Sequence, residues 1–280
     1  MSLTKNKYLE EITNKFKDTT KINVISIQGP SASGKSTLSK MLYFLLVCLN
    51  QKCFVINLDK FLKTKEKNDL FYDYDNPGCY QWDKITRLLE AFDRNEPKLE
   101  VYEYYFKESL STGPIFKDNP RPAYLIVEGL HANYLFSNQF FNLQTLNPTI
   151  KLESISHLNE FVPQTQKYIN FNVLKFSLKI SEQKMVEIRT KRDIKERNLT
   201  PEKVSYLLKM VWPATLRWVY RNEITKPDIE IDEGTFNVEE VRLVYEAFVR
   251  FLVMKNEFKR SDWESSIFKL RISKILKEIN

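Results

Sequence analysis

The chain has 280 residues, 42% of them hydrophobic, with 43 Lys and Arg against 36 Asp and Glu and a formal net charge of +7. That length buries the core of one large α/β domain, and six glycines without a Gly/Ser-rich stretch exclude a tethered two-domain design. The basic residues are spread along the chain without a recognition motif, which argues against a nucleic-acid binder and suits a small anionic ligand.

Residues 4–18 are expected to be helical, because Tyr8, Ile12 and Phe16 recur every fourth position. The beginning of the chain lacks the apolar core of a signal peptide, and the run MLYFLLVCL is too short to span a bilayer, so no membrane partner and a cytoplasmic location are expected. Asn23 to Gln28 reads as a buried strand. The loop GPSASGKST, Gly29 to Thr37, follows and opens a helix over 35–49. Cys53 to Asp59 is a second buried strand ending in a carboxylate, and Asp83 to Pro97 is an amphipathic helix stopped by Pro97. The alternation in LEVYEYYF, with turn-like STG at 111–113, predicts a strand or hairpin.

A third buried strand, Ala123 to His131, again ends near a carboxylate. Residues 132–170 are polar and irregular. Val173 to Ile180 is a fourth strand, followed by a long helix carrying Arg189, Arg192 and Arg197. A second helix over 201–221 has Pro213 as a kink or break. Pro227 to Asp232 is a fifth strand, and helices over 237–255 and 262–279 close the chain. Cys48, Cys53 and Cys79 form no CxxC pair, so neither zinc nor a disulfide framework is indicated.

Strands alternating with helices predict a parallel sheet of about five strands with helices on both faces, plus a small hairpin and a lid. The spacing Gly29-x4-Gly34-Lys35-Ser36, set between strand and helix, is that of a phosphate-binding P-loop. Its backbone N–H groups over Ser31, Ala32, Ser33, Gly34 and Thr37 would face phosphate oxygens, and the helix adds its positive end. Lys35 would neutralise the β and γ oxygens, and Ser36 would ligate Mg²⁺. Glu128 is the acid expected to complete the metal shell. Asp59 could serve as a metal ligand through water, as a general base or as a helix cap. Arg189, Arg192 and Arg197 fit a lid that brings guanidinium groups to a transferring phosphoryl, or else a solvated face paired with Asp193 and Glu196. His131, three residues after Glu128, could touch a substrate or simply be structural.

These residues resemble the uridine–cytidine kinases and their phosphoribulokinase relatives. GPSASGKST is similar to their P-loop, LDKF to the segment carrying the base, YDYDNP to the segment whose Asp holds the ribose hydroxyls, VEGLH to the strand with the Mg²⁺-associated Glu, and RTKRDIKER to the lid. The resemblance covers about residues 22–232 and implies a P-loop nucleoside-triphosphate-hydrolase-like fold in a single kinase domain. ATP (or GTP) and Mg²⁺ would be its cofactors. Asp59 becomes the base, Asp75 the sugar ligand, and Arg189, Arg192 and Arg197 phosphate ligands. Tyr102 matches a tyrosine of the family's substrate hairpin. The implied reaction is phosphorylation of a pyrimidine nucleoside at its 5′-hydroxyl. Alternatives are another small hydroxyl metabolite, as in phosphoribulokinases or pantothenate kinases, and a non-catalytic nucleotide-binding regulator. Three departures fall on groups that read the base: Leu62 replaces a Tyr, Lys107 stands near the place of a His, and Tyr206 replaces a Gln. Phe268, Ile272, Ile275 and Ile279 could form a subunit contact, so a homo-oligomer is possible.

Overall fold

The structure is a computed structural model that describes residues 2–64, 75–106, 108–137, 168–195 and 199–255. Its centre is a five-stranded parallel sheet. In chain order its strands are β1 (Ile22–Gln28), β2 (Cys53–Asn57), β5 (Tyr124–Gly129), β6 (Phe171–Leu178) and β7 (Ile229–Ile231). Across the sheet they run β2-β5-β1-β6-β7. A separate antiparallel hairpin is made by β3 (Lys98–Tyr105) and β4 (Leu110–Asp118). The expected turn at 111–113 therefore lies inside β4; the chain reverses earlier, between Tyr105 and Leu110, where Ser109 takes a positive φ of 50°.

Both faces of the sheet are covered, so the strands are apolar on both sides. Alternation along β1 sorts its side chains: Val24 faces one layer, Ile25 and Ile27 the other. The second layer is closed by α1 (Ser2–Lys15), α2 (Lys35–Cys48) and α7 (Val238–Met254), and in it Phe16, Leu42, Leu45, Phe248 and Phe251 are almost fully buried. The first layer is closed by α3 (Trp82–Asp93), the hairpin and the segments around Tyr134 and Trp218. Tyr8 and Ile12 share the buried face of α1, and Phe16, just past its end, is buried with them. Among the described residues no helix is long and apolar enough to cross a membrane.

Two helices carry the region above the sheet: α4 (Glu182–Lys195) and α5 (Pro201–Ala214). Thr200 caps α5, its hydroxyl accepting from the Lys203 N–H at 3.3 Å, and Pro201 follows at the first helical position, where its missing N–H costs nothing. The helix passes through Pro213 and then widens into one π turn, Thr215–Val219. A proline removes one hydrogen bond and crowds the preceding turn, and a widened turn absorbs that mismatch. A short helix α6 (Asn222–Thr225) leads on to β7.

The polar residues of β1 lock this region to the sheet. Ser26 Oγ donates to Asn133 Oδ1 at 2.7 Å, and Asn133 Nδ2 donates to the Phe176 carbonyl at 3.0 Å. Gln28 accepts from the Asn133 N–H at 3.1 Å and donates to the Val219 carbonyl at 2.9 Å. Each of these side chains is buried and paired, as burial of polar groups requires.

Candidate active site

The site lies at the carboxyl ends of the parallel strands, where β1 is flanked by β5 on one side and β6 on the other. Gly34 initiates α2 with φ 87°, and a Cβ there would lie 1.7 Å from Thr235 Oγ1. Gly234 closes the same contact from the other side with φ 56°; a Cβ would stand 2.0 Å from the Ser33 carbonyl oxygen, and Thr235 N–H donates to that oxygen at 3.1 Å. The turn after β7 thus clamps the P-loop. Ala32 also takes a positive φ of 68°, a backbone strain at a loop that would bind phosphate.

Lys35 keeps some accessible surface, but its ammonium is enclosed by protein and donates to the Pro30 carbonyl at 2.8 Å. Burial pushes its pKa down; the charges of Glu128, Asp59 and Asp75 oppose that shift and Arg192 adds to it. The charges of three carboxylates and a guanidinium therefore act on one ammonium. Ser36 Oγ lies 3.2 Å from each oxygen of Glu128, donating its single proton between them. Glu128 is pushed up to about 6, first by burial and then by Asp59, against the favourable charge of Lys35 and the hydrogen bond from Ser36.

Asp59 sits in the first turn of a 3₁₀ segment, Leu58–Phe61, whose cap is Asn57: the Asn57 Oδ1 accepts from the Asp59 N–H at 2.8 Å. Asn57 is level with Glu128 across the β2–β5 pair, so the two acids leave adjacent strand ends. The buried Tyr80 hydroxyl donates to Asp59 Oδ1 at 3.4 Å, and burial followed by the Asp59 and Asp75 charges drives its pKa well above the ordinary value.

Asp75 is almost buried and accepts from Arg189 Nη1 at 3.4 Å. Its backbone carbonyl lies 3.1 Å from His131 Nε2. His131 is fully buried among Tyr80, Trp82 and Tyr134, and burial pushes it down to about 3. It supports the loop bearing Asp75 and offers no surface for a substrate to touch. Tyr102 is buried too: its ring lies between Phe61 and the Lys84 ammonium, and its hydroxyl donates to Glu100 at 3.0 Å. Leu62 is 2% exposed and Tyr206 45% exposed on α5, so one departure is core and the other faces solvent.

Arg189 and Arg192 both lie on α4, but not on a solvated face. Arg192 Nε and Nη2 are each 2.9 Å from Asp193 Oδ1, and Nη2 is 3.5 Å from Ser31 Oγ on the P-loop. Arg189 Nε is 3.5 Å from Asp193 Oδ2. Asp193 is 1% exposed. Arg197, Lys107, His157, Phe71 to Tyr74, most of the 132–170 segment and the helix over 262–279 lie outside the described residues.

Sequence reasoning missed Tyr80 and the Gly234–Thr235 clamp; of its two readings of His131, the structural one is what the burial shows. It treated Asp193 only as a surface partner. A glycine two residues past the strand predicted over 227–232 was the one available sign of the clamp.

Among the described residues, two buried donors at this site lack hydrogen bonds, Ser33 Oγ and Arg189 Nε. Orphaned donors around a P-loop suit a ligand rich in anionic oxygens. Ser36 and Glu128 offer hard oxygens, and among the described residues no cluster of three or more His, Cys, Asp or Glu would hold a metal unaided. A magnesium ion shared with substrate phosphates fits such a sparse donor set.

The fold is that of the P-loop nucleoside-triphosphate hydrolases and kinases. Residues 24–150 match the model of the Phosphoribulokinase / Uridine kinase family. A search of curated proteins by sequence found no match. Among solved structures, a provisionally assigned fructose transport system kinase from Silicibacter sp. TM1040 is 14% identical. It aligns over 82% of this chain and 99% of its own, with a TM-score of 0.55, which shows a shared fold. D-glycerate 3-kinase from Cryptococcus neoformans var. grubii is 13% identical over 82% and 94%, with a TM-score of 0.47. A provisionally assigned uridine kinase from Bacillus stearothermophilus is 15% identical over 81% and 98%, with a TM-score of 0.43.

Proposed function

We propose that this protein is a kinase of the phosphoribulokinase / uridine kinase type that transfers the γ-phosphoryl group of ATP to a hydroxyl of a small polyhydroxylated metabolite, and that the 5′-hydroxyl of a pyrimidine nucleoside is the first acceptor to test. The carrying observation is the grouping of Asp59 and Asp75 with Lys35 and Glu128 around one P-loop. A protein that only bound nucleotide would need neither Asp59 nor Asp75.

In this reading the loop Gly29–Thr37 cradles the phosphates and Lys35 exchanges the Pro30 carbonyl for phosphate oxygens. Ser36 and Glu128 would hold Mg²⁺, directly or through water, and the ion would supply charge neutralisation at the phosphates. Asp59 orients the acceptor hydroxyl and takes its proton, with the Tyr80 hydroxyl fixing one carboxylate oxygen. Asp75 holds neighbouring hydroxyls of the acceptor. Arg189 and Arg192 bring positive charge to the transferring group and help exclude water.

A second acceptor class, such as a sugar phosphate or vitamin precursor, is favoured by one observation. Leu62 is core, Tyr206 is exposed, and Tyr102 spends its hydroxyl on Glu100, so these positions do not converge as a pyrimidine-reading set. The test is ADP release from Mg·ATP with uridine, cytidine, other nucleosides, ribulose 5-phosphate and pantothenate, using Asp59→Asn as control. Pyrimidine-driven release lost in the variant supports the first acceptor class. Release driven only by another acceptor supports the second. ADP release that no acceptor stimulates would refute the kinase reading of the site.

A further inference from the structure

Arg189 is a buried guanidinium, its side chain 8% exposed, shared between two carboxylates on different elements. Asp193 lies one turn further along the same helix, 3.5 Å from Nε. Asp75 belongs to the loop before α3 and lies 3.4 Å from Nη1. Neither contact is ideal: among the described residues the Nε of Arg189 makes no hydrogen bond although it is buried. Arg192, by contrast, is tightly seated on Asp193, 2.9 Å from Oδ1, and the same Nη2 reaches Ser31 Oγ at 3.5 Å. A chain of charges thus runs from the acceptor side of the site to the P-loop: Asp75, Arg189, Asp193, Arg192, Ser31.

We propose that the two carboxylates have opposite duties. Asp193 is a positioning residue: it holds Arg189 and Arg192 side by side against their mutual repulsion and aims both at the phosphates. Asp75 is a restraint on Arg189, which an acceptor relieves when its hydroxyls take over the Asp75 carboxylate. Arg189 then turns its unsatisfied donors to the phosphoryl group. The device rests on the proposed reading of Asp75 as an acceptor ligand, and it gives that reading a consequence: ATP is held loosely, and wasted on water slowly, until an acceptor is bound.

Simple electrostatics makes a different forecast, which is what makes the proposal testable. Asp75→Asn and Asp193→Asn each remove one negative charge near the phosphates, so a general charge effect would tighten nucleotide binding in both. The restraint predicts opposite signs. Dissociation constants for the non-hydrolysable analogue AMP-PNP with MgCl₂ would be measured by calorimetry on the full chain. Asp75→Asn should bind roughly three- to tenfold more tightly, the size of a partly buried ion pair. It should also hydrolyse ATP faster without acceptor. Asp193→Asn should bind more weakly and hydrolyse more slowly.

Because Asp193 is buried, its replacement also tests folding, so a second cycle carries the test alone. In an Arg189→Gln background, Asp75→Asn should no longer tighten AMP-PNP binding. Persistence of the tightening in that background, or a shift of the same sign in both amide variants, overturns the proposal. Failure of the wild-type chain to bind AMP-PNP is a separate result, and it refutes the proposed function itself.

Discussion

Replacing Glu128 by Gln should make the protein more stable while removing its capacity to use a metal. The folded chain raises the Glu128 pKa from an ordinary 4.5 to about 6, chiefly by burial. A raised carboxyl pKa means that the ionised form is held less favourably in the folded than in the unfolded chain. Its contribution to stability is intact below pH 4.5 and is lost as the pH rises through 6. A shift from 4.5 to about 6 corresponds to about 2 kcal/mol at neutral pH. The favourable charge of Lys35 is already counted in that value. Gln keeps the shape and still accepts from Ser36, so Glu128→Gln should be more stable by up to about 2 kcal/mol at pH 7.5, or about 4–8 °C in Tm. At pH 4.5 the difference should shrink toward zero, because Glu128 is then protonated in the folded chain. The assay is thermal or urea unfolding of both proteins, without nucleotide or metal, from pH 4.5 to 7.5. Other groups titrate in both proteins and cancel. A variant less stable than wild type at pH 7.5, or a difference that does not change with pH, would refute the reasoning.

His131 should give the opposite pH signature. Its folded pKa is pushed down to about 3 from 6.5, so the unfolded chain takes up a proton first and stability falls as the pH drops below 6.5. Urea midpoints of His131→Gln should lose this slope, which reaches about 1.4 kcal/mol per pH unit. Gly234→Ala should lower both Tm and nucleotide affinity, since φ 56° alone costs an L-residue about 1–2 kcal/mol and the new Cβ meets the Ser33 carbonyl; unchanged calorimetric affinity for AMP-PNP would remove the clamp from the argument. Leu62→Tyr, at a site 2% exposed, should cost about 1–3 kcal/mol by overpacking and leave uridine turnover no higher. A gain in uridine turnover would show that the position faces the acceptor after all.

The nucleotide half of the site was legible because its parts are neighbours in sequence. Nine consecutive residues, between an apolar strand and a helix, suffice to specify a P-loop. The five sheet strands were legible for a similar reason: burial on both faces leaves short, continuous apolar runs. The half proposed to hold the acceptor was harder, since it is assembled from residues at 59, 75–80, 131 and 189–193 whose proximity depends on the strand order. Asp193 illustrates the difficulty. Periodicity places it on a charged helix, where solvation is the default, and only the packing of α4 against the site reveals a carboxylate 1% exposed between two arginines. Residues 111–113 were misjudged because Gly and Ser favour turns, whereas the pairing of Ser111 with Tyr104 and of Thr112 with Glu103 across the hairpin draws this stretch into the strand.

One short stretch, VEGLH at 127–131, ties the two halves together. Glu128 meets Ser36 at the start of α2. Gly129 lies so close to β2 that a Cβ would stand 2.6 Å from Leu58, the residue before Asp59. His131 lies at hydrogen-bond distance from the Asp75 carbonyl. The end of β5 therefore sets the positions of three carboxylates that belong to three different segments. Any side chain at 129 would push Leu58 away and carry Asp59 with it, while any change at 131 would loosen Asp75. This explains why an apolar strand ends in Glu, Gly and a buried His rather than in ordinary turn residues. The sequence at this strand end answers to the spacing of carboxylates around one phosphate loop, and local backbone preference alone would not select it.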